Sequence, residues 1–379
     1  MYISKVSDIK VCIIGVGYVG EHLLQTFKKQ YDIIGIDVSE KRVNLLKQQY
    51  PDVIFHSNFD NISDRNVFLV SVPTLVDNKG KIDLSCLYSV KNTLMPIVQE
   101  GSLIVIESSV YVGATREIFG EFRDRGVYVG FSPERVDPGR IEPKMEDIPK
   151  VISGIDQESL EKIQTVYSKV IKKIVPVSST ESAEMCKLYE NCFRMVNIAY
   201  VNEISDMCDS IGIDCKEVIS ASSTKPFGFM PFHPGIGVGG HCIPVNPYYL
   251  FHNGTLPVLK YSTELMKIRP SMKVQQIMKS NPNISNILIV GIGFKKGEKL
   301  LTNSPSYDMM KYFIKNNINV DVYDPLVESD YSKNDITFIN SSYFSSSSLN
   351  HYDLIIVNHI HKETDRIIID NSDTKVLYF

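Results

Sequence analysis

The stretch KVCIIGVGYVGEHLL constrains this chain more than any other. An apolar run, Ile9–Ile14, breaks on three glycines, Gly15, Gly17 and Gly20, and a helical pattern follows from about Val19 to Lys29. A second apolar run, Ile33–Ile36, closes on Asp37. The first glycine permits a tight strand-to-helix turn, the second lets a pyrophosphate approach the backbone, and the third lets the helix pack against the strand. The anion would rest on the helix N-terminus, where unpaired amides favour it. Asp37 lies 17 residues past Gly20, close to the spacing of a carboxylate that meets ribose hydroxyls. Its charge repels a 2′-phosphate, so the pattern predicts NAD rather than NADP.

Further β-rich runs at Val67–Val72, Leu103–Ile106, Val127–Phe131, near Val151 and at Ile174–Val177 alternate with helical patterns or loops. That alternation predicts an α/β fold with a doubly wound parallel sheet, Rossmann-like, over residues 1–180. From Glu181 a 3.6-residue periodicity takes over, and long helices are expected over 181–220. A Gly-, Pro- and aromatic-rich loop spans Pro226–Pro247, more helix runs to about Ser280, and NPNISN reads as a linker. Strand–turn–helix–strand then returns with Ile287–Val290, a helix near Pro305–Asn316, Val320–Tyr323, Tyr352–Asn358 and Lys375–Phe379. The expected organisation is 1–180, a helical middle at 181–282, and a smaller Rossmann-like domain at 283–379. The serine-rich segment Ser341–Leu349 reads as a mobile surface loop.

A net charge of −4, with 22% charged and 43% hydrophobic residues, argues against a nucleic-acid partner, which calls for a basic excess or stripe. The longest apolar stretches, Cys12–Val19 and Ile287–Phe294, fall short of the ~20 residues of a membrane helix. The N-terminus runs straight into a strand without a signal-peptide layout. Seven scattered cysteines do not form a disulfide framework, so a reduced, cytoplasmic location is expected.

The sharpest local feature is PGIGVGGHCIPVNP, residues 234–247. Gly235, Gly237, Gly239 and Gly240 precede His241 and Cys242, a loop expected to crowd a ligand and leave a thiol accessible. Cys242 is therefore a candidate nucleophile. Lys187, Asn191 and Arg194 are spaced i, i+4, i+7 on one helix face. A lysine near a thiol can depress its pKa and steady an oxyanion, although the same spacing suits a solvated stripe. His233 and His241 near Cys242, and the pair His359 and His361, lack a Cys/His ligand spacing. His359 and His361 along a strand would share a face without further ligands, so no metal is expected.

GVGYVG, SVPT (71–74), ESSV (107–110), FSPERVDPG (131–139), KLYENCFRMVNIAYVNE (187–203) and TKPFGFMPFHPGIGVGGHCIPVNP (224–247) occur in that order. Together they resemble the UDP-glucose/GDP-mannose dehydrogenase family, strongly over about residues 9–250 and weakly over 287–361. The resemblance implies an NAD domain, a central helical dimerisation region and a C-terminal nucleotide-sugar domain. It implies two oxidations of a sugar C6 alcohol to a carboxylate, with two NAD and a Cys242 thiohemiacetal and thioester. By position, Lys187 matches the lysine that steadies the oxyanion, Asn191 its polar helper, and Glu134 a glutamate linked to proton transfer and the hydrolytic water. Ser109 stands where threonine is usual, and Thr74 and Ser108 match positions lining the cofactor. The expected cofactor set is thus Gly15, Gly17, Tyr18, Val19, Gly20, Asp37, Arg42, Val72, Pro73, Thr74 and Ser108. The expected substrate set is Glu134, Arg135, Lys187, Asn191, Arg194, Phe229, Gly239 and Lys295, with Lys296 beside it.

FSPERVDPG and TKPFGFMPFHPG resemble the branch that acts on UDP-N-acetylhexosamines. UDP-N-acetylglucosamine is the expected substrate, its mannosamine and galactosamine epimers stand next, and UDP-glucose is the alternative. Substitutions at two places depart from the family. Asn246 replaces an aspartate four residues past the nucleophile, and an amide cannot take a proton from water. In EKLLTNSP, Leu300 and Thr302 stand where an aspartate and an arginine are usual, which removes a bidentate phosphate contact. The C-terminal part is also shorter than is usual. A weakly active or inactive nucleotide-sugar-binding protein is the second class these departures leave open.

Overall fold

The structure is a computed structural model and describes residues 9–77, 79–136, 142–327 and 337–379. It forms two compact units: the described residues up to Glu190 with Tyr248–Thr255, and Asn191–Pro247 with Leu256–Phe379.

The strands of the first unit are β1 (Lys10–Ile14), β2 (Asp32–Ile36), β3 (Ile54–His56), β4 (Val67–Val70), β5 (Leu75–Val76), β6 (Ile82–Asp83), β7 (Leu103–Ile106), β8 (Tyr128–Phe131), β9 (Lys150–Gly154) and β10 (Ile174–Pro176). Its helices are α1 (Tyr18–Phe27), α2 (Glu40–Gln49), α3 (Ser85–Leu94), α4 (Ala114–Phe119) and α5 (Gln157–Tyr167). Eight strands form one sheet in the order β10-β9-β8-β7-β4-β1-β2-β3. β4 and β7 are buried throughout, and β1 is buried after Lys10, as both faces of a parallel sheet under helices require. Strand order reverses between β1 and β4, so the segments that leave their C-terminal ends flank the crevice where such sheets take ligands.

The sheet is parallel except between β8 and β9, which pair antiparallel. The described residues between these two strands hold a short 3-10 turn, Met145–Asp147, and no α-helix; a parallel return needs a crossover, usually helical. β5 and β6 form a separate antiparallel ribbon.

Helices α6 (Thr180–Ile211) and α8 (Asn246–Asn253) each begin in one unit and end in the other. The second unit adds α7 (Cys215–Ser223) and α9 (Pro257–Ser280). Its strands β11 (Asn286–Val290), β12 (Asn319–Tyr323), β13 (Thr337–Phe338), β14 (Leu354–Val357) and β15 (Val376–Tyr378) form a parallel sheet in the order β13-β12-β11-β14-β15. Helices α10 (Pro305–Lys315), α11 (Ser346–Leu349) and α12 (Glu363–Asp370) complete it.

The serine-rich segment holds helical turns where its composition suggests a loop. A 3-10 turn covers Ser341–Tyr343, and α11 follows with a reciprocal cap between Ser345 and Ser348. Leu349 is buried and anchors the turn. Serines favour helix caps as well as loops, and composition does not separate the two. Among the described residues no helix is long and apolar enough to cross a membrane.

Candidate active site

The glycine turn links β1 to α1. Gly15 has φ of +85°, and a Cβ there would lie 2.9 Å from the Ser71 carbonyl. A Cβ on Gly20 would lie 2.1 Å from the Gly15 carbonyl oxygen. Gly17, the N-cap of α1, has nothing within 4 Å of where a Cβ would stand. The protein's own packing therefore demands the outer two glycines, while the middle one opens to space at a helix N-terminus, as an approaching pyrophosphate requires. Asp37 follows β2 and accepts the Ser39 amide on Oδ1 at 3.0 Å. Tyr18 is exposed beside His22, and Val19 packs on the core. Arg42 donates to the Val16 carbonyl (2.8 Å) and to Glu21 (2.5 Å), bracing the turn. The segments that follow β4 and β7 are stitched together. Ser108 Oγ donates to the Val72 carbonyl and Thr74 Oγ1 to that of Ser109, each at 2.7 Å. Pro73 lies exposed between them.

Beyond β8, Glu134 is buried, 5% exposed. Its Oε1 accepts the amides of Arg135 and Val136, both at 2.6 Å, and its Oε2 the Lys150 ammonium at 3.3 Å. Burial pushes this carboxyl up, but Lys150, the two amides and Lys187 more than offset it, so it titrates below the usual range. Lys187 on α6 donates to the Glu134 main-chain carbonyl. Arg135 turns aside to Glu190 and the Pro149 carbonyl. Residues 137–139 of FSPERVDPG lie outside the described residues.

In the second unit, Cys242 is half-buried, and its carbonyl accepts the Asn246 amide at 3.0 Å. Asn246 in turn accepts from Asn191 Nδ2 at 2.6 Å, both side chains being buried, and Arg194 donates to Asn191 Oδ1. The cysteine turn is thus tied to α6 by the residue that departs from the family pattern. Every member of the Lys187, Asn191, Arg194 face is engaged, so this is not a solvated stripe.

The loop glycines serve the protein itself. Cβ atoms on Gly239 and Gly240 would stand 2.7 and 2.9 Å from Phe294, and one on Gly237 3.1 Å from Pro305. The Gly240 amide donates to the Thr302 carbonyl at 3.1 Å, and Asn303 Nδ2 to the Gly240 carbonyl at 2.9 Å. The crowding expected against a ligand is therefore crowding against Phe294, Asn303 and Pro305. EKLLTNSP seats the cysteine loop through the Thr302 carbonyl, the Asn303 amide side chain and the Pro305 ring. Lys295 Nζ lies 5.9 Å from the Phe294 ring centroid. Phe229 is 42% exposed.

His359 and His361 do have a third polar neighbour, contrary to the sequence expectation. Asp324, just after β12, has Oδ1 3.1 Å from His361 Nε2 and Oδ2 3.7 Å from His359 Nε2. Among the described residues this is the one group of metal-capable side chains, with ligand atoms within 4.8 Å of one another. The Asp324 oxygens already accept the amides of Ile292, Gly293 and Leu326. The Gly297 amide donates to His361 Nδ1, which leaves that ring's hydrogen on Nε2. Burial opposes ionisation of Asp324, but the two imidazoles and the Gly293 amide outweigh it and hold the acid well below the usual range.

Sequence reasoning missed Glu107, Lys150 and Tyr167, which lie in direct contact with one another or with Glu134. The signal was a lysine heading the otherwise apolar run KVISG.

Comparison with known proteins gives three family matches in chain order. The UDP-glucose/GDP-mannose dehydrogenase NAD-binding domain matches residues 52–171, its central domain 181–269 and its UDP-binding domain 288–377. A TrkA-N domain model matches 11–63. The UDP-N-acetyl-D-glucosamine 6-dehydrogenase of Pseudomonas aeruginosa is 32% identical over 85% of this chain and 84% of its own. The UDP-N-acetyl-D-mannosamine dehydrogenase of Methanococcus vannielii is 30% identical over 84% and 80%. A solved UDP-D-ManNAc dehydrogenase from Pyrococcus horikoshii superposes with a TM-score of 0.84 at 25% identity, covering 98% of this chain and 95% of that one. Likeness that runs through all three regions, around a glycine turn with room for a pyrophosphate, places the chain in the UDP-glucose/GDP-mannose dehydrogenase family, as an NAD-dependent UDP-sugar dehydrogenase.

Proposed function

We propose that the chain oxidises the C6 alcohol of a UDP-N-acetylhexosamine, UDP-N-acetylglucosamine before its epimers, to the uronic acid in two steps. What supports this reading is the likeness through all three regions to a UDP-N-acetyl-D-glucosamine 6-dehydrogenase; the Asn191–Asn246 hydrogen bond fixes the turn bearing Cys242 against α6. In this reading residues 1–180 hold NAD, 181–282 carry the nucleophile and the dimer contact, and 283–379 hold the nucleotide. NAD, when bound, takes up a hydride from C6 in each oxidation.

The roles of the side chains follow from their chemistry. Lys187 supplies the positive charge that steadies the developing oxyanion of the sugar. The Cys242 sulfur adds to the C6 aldehyde and its proton passes to the former carbonyl oxygen, which keeps the intermediate from escaping as a hydrate. Oxidation of that thiohemiacetal leaves a thioester on Cys242. Glu134 takes a proton from the water that attacks it, and the acid leaves as the thiol is restored. Asn191 and Asn246 hold the turn in place, and Ser109 and Thr74 shape the cofactor side. Arg135 and Arg194 support this site through Glu190 and Asn191. Arg42 steadies the glycine turn, and Gly239, Phe229, Lys295 and Lys296 belong to the substrate surface.

Asn246 favours one other reading. Its oxygen is taken by Asn191 and its amide cannot act as a base, as in a family member that binds nucleotide sugar but turns over slowly.

The test follows NADH formation with UDP-N-acetylglucosamine, UDP-N-acetylmannosamine, UDP-N-acetylgalactosamine, UDP-glucose and GDP-mannose, with products identified by mass. Two NADH per N-acetylhexosamine and a carboxylate product are expected. No turnover with any donor, with NAD still bound, would establish the slow or inactive reading.

A further inference from the structure

Behind Glu134 lies a charge network that the reaction above does not use. Lys150, at the start of β9, is 3% exposed and directs its ammonium to Glu107 Oε2 (2.5 Å), the Pro133 carbonyl (3.1 Å) and Glu134 Oε2 (3.3 Å). All three of its donors are used. Glu107, just after β7, is 2% exposed and accepts on Oε1 from the hydroxyl of Tyr167, on α5, at 2.5 Å. A buried lysine between two buried carboxylates is costly unless it is paired and hydrogen-bonded. Ordinary stability does not call for it, since an apolar set of the same volume is often as stable.

The arrangement has a functional consequence. A carboxylate offers about four acceptor sites. On Glu134 the Arg135 and Val136 amides fill two and Lys150 a third, which leaves one for a water. We infer that Lys150 is a positioning residue that fixes both the aim and the negative charge of Glu134, and that Glu107 holds the Lys150 ammonium in place. This rests on the reading of Glu134 as the base in thioester hydrolysis. The proton balance is simple: water gives its proton to Glu134 and its hydroxide to the thioester carbonyl. The Lys150 ammonium keeps all its protons throughout.

The pH behaviour follows from the groups that face Glu134. These are Lys150 from β9, Glu107 behind it with Tyr167 from α5, and Lys187 from α6, while the Arg135 guanidinium is drawn off by Glu190. Burial lowers Lys150, but Glu107 and Glu134 more than restore it, so it stays charged. Burial lifts Glu107 to about 7 against the pull of Lys150. Glu134 titrates below the usual range, so the hydrolytic rate should rise through an acidic limb. It should change again near neutrality as Glu107 ionises, the two carboxyls titrating as a coupled pair.

The experiment measures thioester hydrolysis against pH after the burst of NADH, with UDP-N-acetylglucosamine, in wild type, Lys150→Met and Glu107→Gln. Lys150→Met should move the acidic limb up by ~1–3 pH units, the effect of one opposite charge at this range. Glu107→Gln should erase the inflection near neutrality and leave the acidic limb in place. Infrared titration of the free protein, with the Glu134 carboxyl band assigned by Glu134→Gln, reads the same shifts without substrate. A loss of rate in both variants with an unchanged pH profile, or a Glu134 band in Lys150→Met that titrates as in wild type, would overturn the inference. Absence of turnover in the wild type would instead sink the catalytic reading, and the infrared shifts would still decide the network.

Discussion

Cys242 and Asn246 stand four residues apart, joined by a main-chain hydrogen bond, and Asn246 is pinned by Asn191. Removing the sulfur leaves those contacts in place, because the bonded atom of Cys242 is its carbonyl. Cys242→Ser should therefore bind NAD as wild type does while acid formation falls at least ~10³-fold, the scale on which a lost nucleophile is felt. Mass analysis of the product and an NAD titration check this, and acid formed at the wild-type rate would exclude the covalent path. Asn246→Asp is a different probe. The carboxylate can still accept from Asn191, and Arg194, one bond further on, favours its charged form. Adding a base should speed thioester release, by up to ~10²-fold if proton transfer limits it. The ratio of the NADH burst to the steady state reports this. An unchanged ratio would leave release to Glu134 alone.

At the level of elements, the glycine turn separates packing from binding. A methyl on Gly20 would collide with the Gly15 carbonyl, whereas one on Gly17 meets open space. Gly17→Ala should keep its melting free energy within ~0.5 kcal/mol yet weaken NAD. Gly20→Ala should lose ~1–3 kcal/mol from overpacking. Denaturation curves and NAD titrations on the two variants decide it, and equal destabilisation would show that Gly17 is structural. This turn was legible in the sequence because strand, glycines, helix and Asp37 fall within one short window. The pairing of β9 was not, since its direction is set by a connection and not by composition. Nor was the role of the loop glycines: Gly239 and Gly240 meet Phe294 and Asn303, more than fifty residues further along the chain. Glu107, Lys150 and Tyr167 were hidden for the same reason. Glu107 opens the ESSV motif and Lys150 heads an apolar run, but only the fold brings their charges together.

At the scale of the whole molecule, α6 carries an apolar face that is exposed beyond Phe193, which packs against Phe232. Phe193, Tyr200 and Met207 recur every seven residues and Ile211 follows one turn on, so they share a side of the helix. Tyr200, Met207 and Ile211 are 62%, 59% and 58% exposed, while Met195, Ala199 and Asn202 on the opposite side are buried. Contiguous exposed apolar patches mark association sites. Homo-oligomers most often close on a two-fold axis, where one face meets its own copy. The dimer contact proposed above for residues 181–282 would fall on this face. The double variant Tyr200→Glu, Met207→Glu places like charges across such an axis and should sediment at one chain mass where wild type sediments at two. Sedimentation equilibrium measures this directly. A monomeric wild type would assign the face to another partner, and a dimeric double variant would place the contact elsewhere.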